Sequence, residues 1–244
     1  MKTSCFSAKT LASLIVKEPL IGHYLDNSEI IETSHLPENV CAGITIQSGE
    51  ILLYINPKRF NMLNEEEKAG VIVHELIHVL LGHVSDRGIC TGKKAKVLNI
   101  AQDMSINQMI LKSGLTLPSY VIMHNTGEYN LKPLQSSEFY YNELISDIPK
   151  FIRHFGELDD SINDSEVNNH NDWSKSESDS KFVIERIAAD YIDNGHSQVG
   201  GVLGGTEYAY TNSFPAAAAA GTTAPIQLDG NLREVKLKWD WGLK

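Results

Sequence analysis

The chain predicts an α+β protein, helical for most of its length, with a small mixed β-sheet or hairpin packed on a buried helix and a second helix facing it. Three observations carry that expectation. "GITIQSGEILLYIN", Gly43 to Asn56, sets β-rich "ITI" and "ILLYI" on either side of the turn "QSGE" and reads as two short strands. "LNEEEKAGVIVHELIHVLLGH" follows and combines helix-start signals with a long apolar run. "VLNIAQDMSINQMILKSG" then spaces its apolar residues as a second helix ending near Gly114.

Taken in order, residues 8–25 read as an amphipathic helix that Pro19 kinks or ends. The hairpin turns at "QSGE", and Pro57 stops its second strand. Asn64 is a good N-cap for the next helix, and Glu67 completes a capping-box-like pair. Glu65, Glu66 and Glu67 suit the positive end of the helix dipole. Gly82 is a natural stop. "SSEFYYNELISDIPKFIRHF" reads as a third long helix capped by Ser136 or Ser137. "KFVIERIAADYIDNG" returns to helix, and "VKLKWDWGLK" reads as a short strand or docking segment. Residues 1–155 are expected to form the main domain and 156–181 an acidic polar loop or linker. Residues 182–244, a helix and a Gly- and Ala-rich segment, are expected to pack on the same domain.

Composition excludes several classes. The formal net charge of −10 disfavours nucleic acid or an anionic membrane as partner. Cys5, Cys41 and Cys90 are few, odd in number and widely spaced, as reduced thiols in a reducing compartment are. The N-terminal apolar run is interrupted by Lys17 and Glu18, unlike a signal peptide, and apolar runs elsewhere are too short to span a membrane. A cytoplasmic location is expected, or association with a virion if the source is a virus.

Three histidines and a glutamate stand inside the apolar run Gly70 to His83. His74 and His78 are i and i+4, one turn apart on one helix face. Two imidazoles so placed can hold one ion, and Glu75 flanks the same point. This HExxH pattern is the one in which the histidines bind zinc and the glutamate handles the proton of a metal-bound water. The apolar neighbours bury the helix, where unpartnered His and Glu are costly. Zinc needs a third protein ligand if its fourth position holds water. On a continuous helix His83 points about 140° from His78, so it reaches the metal only if the chain turns at Gly82. Capping of free carbonyls or support of a ligand suits it better. Asp103 is the stronger candidate: a carboxylate within an apolar stripe needs a partner, if not the metal then a cation such as Arg87 or a neighbouring loop to cap. Asn99 and Asn107, a turn to either side, could orient the ligands by hydrogen bonds.

With these residues in view, the chain resembles a family of zinc metallopeptidase domains of bacteria and phages, often joined to von Willebrand A-like domains and encoded near MoxR-type AAA+ ATPases. The matching stretches are "NVCAGITIQSGEILLYINPKRF", "VHELIHVLLGHVSDRG" and "LNIAQDMSINQMI", with "GLTLP", "SSEFYYNELI" and "NHNDW" as sequel. The resemblance implies a zincin-like fold, a Zn2+ cofactor and peptidase chemistry on a peptide or protein substrate, with an ATPase as the implied partner. In the expected mechanism His74, His78 and Asp103 hold zinc and Glu75 is the general base. His170 is a candidate donor to the carbonyl oxygen, ahead of Tyr140 and Tyr141; each also has a plainer reading as loop histidine or core tyrosine. "ILLYIN" is a candidate edge strand for an extended substrate. Two other functions are open: a zinc-stabilised scaffold or virion-associated protein without activity, and hydrolysis of a non-peptide amide.

Overall fold

A computed structural model describes residues 5–84, 93–156, 183–190, 224–228 and 231–235. His170, Arg87, Cys90 and the Gly- and Ala-rich stretch lie outside the described residues, as do the expectations attached to them.

The N-terminal helix is two. Helix α1 (Ala8–Lys17) ends at Glu18, and α2 (Pro19–Asp26) begins on Pro19. Proline lacks the N–H that a continuous helix needs, but its fixed φ suits a first turn.

Strands β1 (Ser28–Glu32), β2 (Ala42–Gln47) and β3 (Glu50–Ile55) form a mixed sheet in the order β1-β3-β2. The hairpin is as expected: β2 and β3 are antiparallel, with Ile44 opposite Leu53. Ser48 and Gly49 turn it at φ 54° and 81°, the left-handed geometry that matches the twist of a tight hairpin. Strand β1 pairs parallel with β3, Ser28 opposite Ile51. It had not been read from the sequence. Its pairing makes β3 the central strand, so "ILLYIN" offers no edge and cannot receive a substrate strand.

Helix α3 (Pro57–Phe60) is a single turn leading to α4 (Glu65–Leu80), which carries His74, Glu75 and His78. Helix α5 (Lys93–Lys112) carries Asp103. The third long helix is broken into α6 (Ser137–Ile145) and α7 (Ile148–Phe155), because Pro149 is confined to a first turn, where the Asp147 carboxylate caps Lys150 N. Residues 183–190 are helical. Strands β4 (Ala224–Leu228) and β5 (Asn231–Val235) pair antiparallel.

Two apolar clusters organise the chain. The larger joins α1, α2, the sheet, α4, the C-terminal half of α5 and residues 183–190, where Tyr24 Oη donates to Ile184 O at 2.8 Å. The smaller joins Val97, Ile100, Ala101 and Met104 of α5 to Tyr140 and Leu144 of α6 and Phe151 of α7. Helix α5 therefore passes from one cluster to the other. Among the described residues no helix is long and apolar enough to cross a membrane.

Candidate metal centre

Helix α4 is fixed at both ends by its own sequence. At its start, Asn64 Oδ1 accepts from Glu67 N at 2.9 Å and Glu67 Oε2 accepts from Asn64 N at 3.0 Å. This reciprocal box satisfies two otherwise orphaned donors. At its end, Gly82 adopts φ 68°. Gly82 N donates to Val79 O at 2.9 Å and His83 N to His78 O at 2.8 Å. That pair of bonds is the Schellman motif, with glycine in the left-handed position. The turn carries His83 back over the last helical turn.

Between the caps, His74 and His78 project to one side as their spacing requires. Their Nε2 atoms are 3.0 Å apart. Asp103 Oδ1 lies 3.4 Å from His74 Nε2 and 3.2 Å from His78 Nε2. Three ligand atoms from two helices thus surround one point. A tetrahedral zinc with bonds of about 2.0–2.1 Å separates its ligands by about 3.3–3.4 Å. The observed triangle is close to one face of that tetrahedron.

Hydrogen bonds decide how the imidazoles present themselves. Asn107 Nδ2 donates to Ile122 O at 2.9 Å, so its Oδ1 is the atom 2.9 Å from His74 Nδ1. An amide oxygen only accepts, so His74 Nδ1 carries a proton and its Nε2 can offer a lone pair to the triangle. On the other side, His78 Nδ1 is 3.1 Å from His83 Nδ1. His83 therefore meets the far nitrogen of His78 and lies outside the donor triangle. Asn107 does what was expected of it. Asn99 Oδ1 is buried without a hydrogen bond.

The electrostatics call for a cation. Asp103 Oδ1 is buried and makes no hydrogen bond of good geometry, although two imidazole nitrogens face it. Burial opposes its charge, but those imidazoles hold Asp103 well below the usual carboxylate range. Burial also works against a charged His74, yet the Asp103 carboxylate beside its Nε2 lifts it to about 9. His78 goes the other way: burial, aided by the charge of His74, lowers it to about 4 despite Asp103. Without metal the triangle holds a proton on His74. Two neutral imidazoles and a carboxylate fit a divalent metal in the same place. His78 is fully buried, whereas the side chains of His74 and Asp103 are 14% and 21% exposed, so solvent reaches the triangle along that edge.

Glu75 does not join the triangle. It is buried, and its Oε2 has no hydrogen-bond partner. Burial pushes its carboxyl up to about 7, with the charge of Asp103 adding and that of His74 opposing. Cys41 is close enough to feel it: burial, then the Glu75 charge, raises the thiol to about 12, while a hydrogen bond from Tyr120 works the other way. A thiol so raised is protonated at neutral pH and is a poor metal ligand.

The match to known families decides the classification. The family described as "Putative metallopeptidase domain" matches residues 9–222. The chain belongs to this family. Among the described residues the match takes in α1 from its second residue, helices α2 to α7, the mixed sheet and every residue of the triangle. The family description points to metal-dependent hydrolysis, and the triangle is a possible metal site. No curated protein and no solved structure matches the chain.

Tyr140 is fully buried; its hydroxyl donates to Lys132 O at 2.9 Å and accepts from Gln108 Nε2 at 2.8 Å, so it is a core tyrosine. Tyr141 packs on the smaller cluster. His170 lies outside the described residues. Reading the sequence missed Gly70, where an added Cβ would lie 1.9 Å from Thr116 O. It also missed Ile122, whose carbonyl orients Asn107. Both contacts involve the irregular segment after Gly114, which no periodicity reveals.

Proposed function

We propose that the protein hydrolyses peptide bonds with a zinc ion held by His74, His78 and Asp103 and with Glu75 as general base, on a zincin-like scaffold formed by the sheet, α4 and α5. The observation that carries this reading is the donor triangle, with edges of 3.0, 3.2 and 3.4 Å, flanked by a buried carboxylate oxygen without a partner. Zinc, when bound, lowers the pKa of its water to about 7 and polarises the carbonyl to be attacked.

The chain's own residues do the rest. Asn107 holds His74 with its Nε2 lone pair towards the triangle. Asp103 supplies the negative charge that offsets part of the ion's. Glu75 Oε2 takes the proton of the attacking water and passes it to the leaving amine. Its carboxyl, pushed up to about 7 by burial, can accept and release a proton near neutral pH. Val73, Leu76 and Ile77, buried in the larger apolar cluster, fix the opposite side of α4 and so hold the helix that presents His74 and His78. Substrate enters along the edge where His74 and Asp103 are exposed.

Glu75→Gln tests the assignment. The amide keeps the size of the side chain but cannot accept the proton. Peptide hydrolysis should fall about a hundredfold to ten-thousandfold, with zinc content unchanged. Undiminished hydrolysis would refute the mechanism. Zinc bound to a parent protein that cleaves no peptide would favour the scaffold function instead.

A further inference from the structure

We propose that His83 is a positioning residue for the metal, holding His78 in the tautomer whose Nε2 lone pair faces the donor triangle. This rests on the metal reading of His74, His78 and Asp103. The two Nδ1 atoms are 3.1 Å apart, a hydrogen-bond distance, and both residues are fully buried. Between two neutral imidazoles in this contact, one Nδ1 carries the proton and the other accepts it. If His78 Nδ1 donates, its Nε2 is bare and can bind a metal beside Asp103. If His83 Nδ1 donates, His78 carries its proton on Nε2 and the ligand position is blocked. Metal therefore selects the first arrangement, with His83 as acceptor.

Local structure makes that contact obligatory. His83 N is bound to His78 O at 2.8 Å, and Gly82 turns at φ 68°, so the backbone itself lays one ring against the other. The ring centroids are 5.1 Å apart at 68°, an edge-on packing that directs nitrogen to nitrogen. The two ligand histidines are thus supported differently. Asn107 is locked by Ile122 O and can only accept from His74. His83 can accept or donate, so the His78 side of the site can change tautomer with no change in net charge. Such outer partners typically contribute tenfold to a hundredfold in metal affinity.

The test uses the full chain and zinc alone. Histidine-selective 15N NMR of the zinc-loaded parent should show a scalar coupling across an Nδ1–H···Nδ1 hydrogen bond, with His83 as the unprotonated partner. In competition with a chelator, His83→Phe should bind zinc about tenfold to a hundredfold more weakly. His83→Asn, whose Oδ1 stands near the place of Nδ1, should bind close to the parent. If the phenylalanine variant does not fold, the spectrum of the parent decides alone. Zinc bound with His83 Nδ1 protonated, or bound equally well by His83→Phe, overturns this inference and leaves the metal site standing. A parent that takes up no zinc removes both.

Discussion

Helices α4 and α5 both supply the triangle, but they are placed by different forces. Helix α4 is set by its neighbours in sequence: a reciprocal cap at Asn64 and Glu67, and a left-handed stop at Gly82. His74 and His78 are one turn apart on it whatever the rest of the chain does. Helix α5 is set by tertiary packing. Val97, Ile100, Ala101 and Met104 anchor it in one apolar cluster, and Ile106, Met109 and Ile110 in the other. Asp103 stands at the seam. Two donors of the triangle are thus preset locally, and the place of the third depends on the packing of both clusters. Metal affinity should follow the packing of α5 more closely than the helicity of α4.

The largest effect is expected at Gly70, one turn before His74. A Cβ there would lie 1.9 Å from Thr116 O, which is backbone and cannot swing away. Gly70→Ala should cost about 3 kcal/mol or more by overpacking, although alanine favours an isolated helix. Urea unfolding would measure it. An unchanged midpoint would mean that the segment after Gly114 does not rest on α4.

Next is the anchor of α5. Tyr140 Oη accepts from Gln108 Nε2 at 2.8 Å and from Gln135 N at 3.1 Å. Tyr140→Phe leaves these donors short of a partner and should cost about 1–3 kcal/mol. Zinc affinity, measured by chelator competition, should weaken with it, although Tyr140 does not touch the triangle. Lost stability with full affinity would detach Asp103 from the packing of the smaller cluster.

The proton on His74 comes third. With His74 raised to about 9 and His78 lowered to about 4, metal-free protein at pH 7 holds one proton where the ion would bind. Zinc must displace it. Apparent affinity should therefore rise about tenfold per pH unit from pH 6 towards 9 and level off above, as competition ends. Calorimetric titration in buffers of different ionisation enthalpy should count the released proton. The smallest effect is at the far end of α4: Asn64→Ala removes the cap for about 1 kcal/mol. Thermal unfolding should register that loss while zinc content stays at the parent's level.

The same contrast explains what could be read from the sequence. Capping residues, the i, i+4 histidines and the stopping glycine are local, and they were legible. Asp103 was legible because a carboxylate inside an apolar stripe needs a partner. Strand β1 was not: "SEIIE" sets two isoleucines side by side between acidic residues, with no alternation, and its parallel partner is distant in sequence. The break between α6 and α7 was legible in principle at Pro149, but the apolar spacing ran through it. His83 was open because its direction depends on whether Gly82 turns left-handed, a matter of one dihedral angle. His170 and the acidic segment stay as expectations from the sequence.

The central claim is that α5 completes a metal site begun on α4. Zinc content of purified Asp103→Ala, measured by elemental analysis beside the parent and Glu75→Gln, tests it most directly. About one zinc per chain is expected in the parent and in Glu75→Gln, and little or none in Asp103→Ala. Full zinc in Asp103→Ala, together with its loss in Glu75→Gln, would exchange the roles of the two carboxylates and contradict the account.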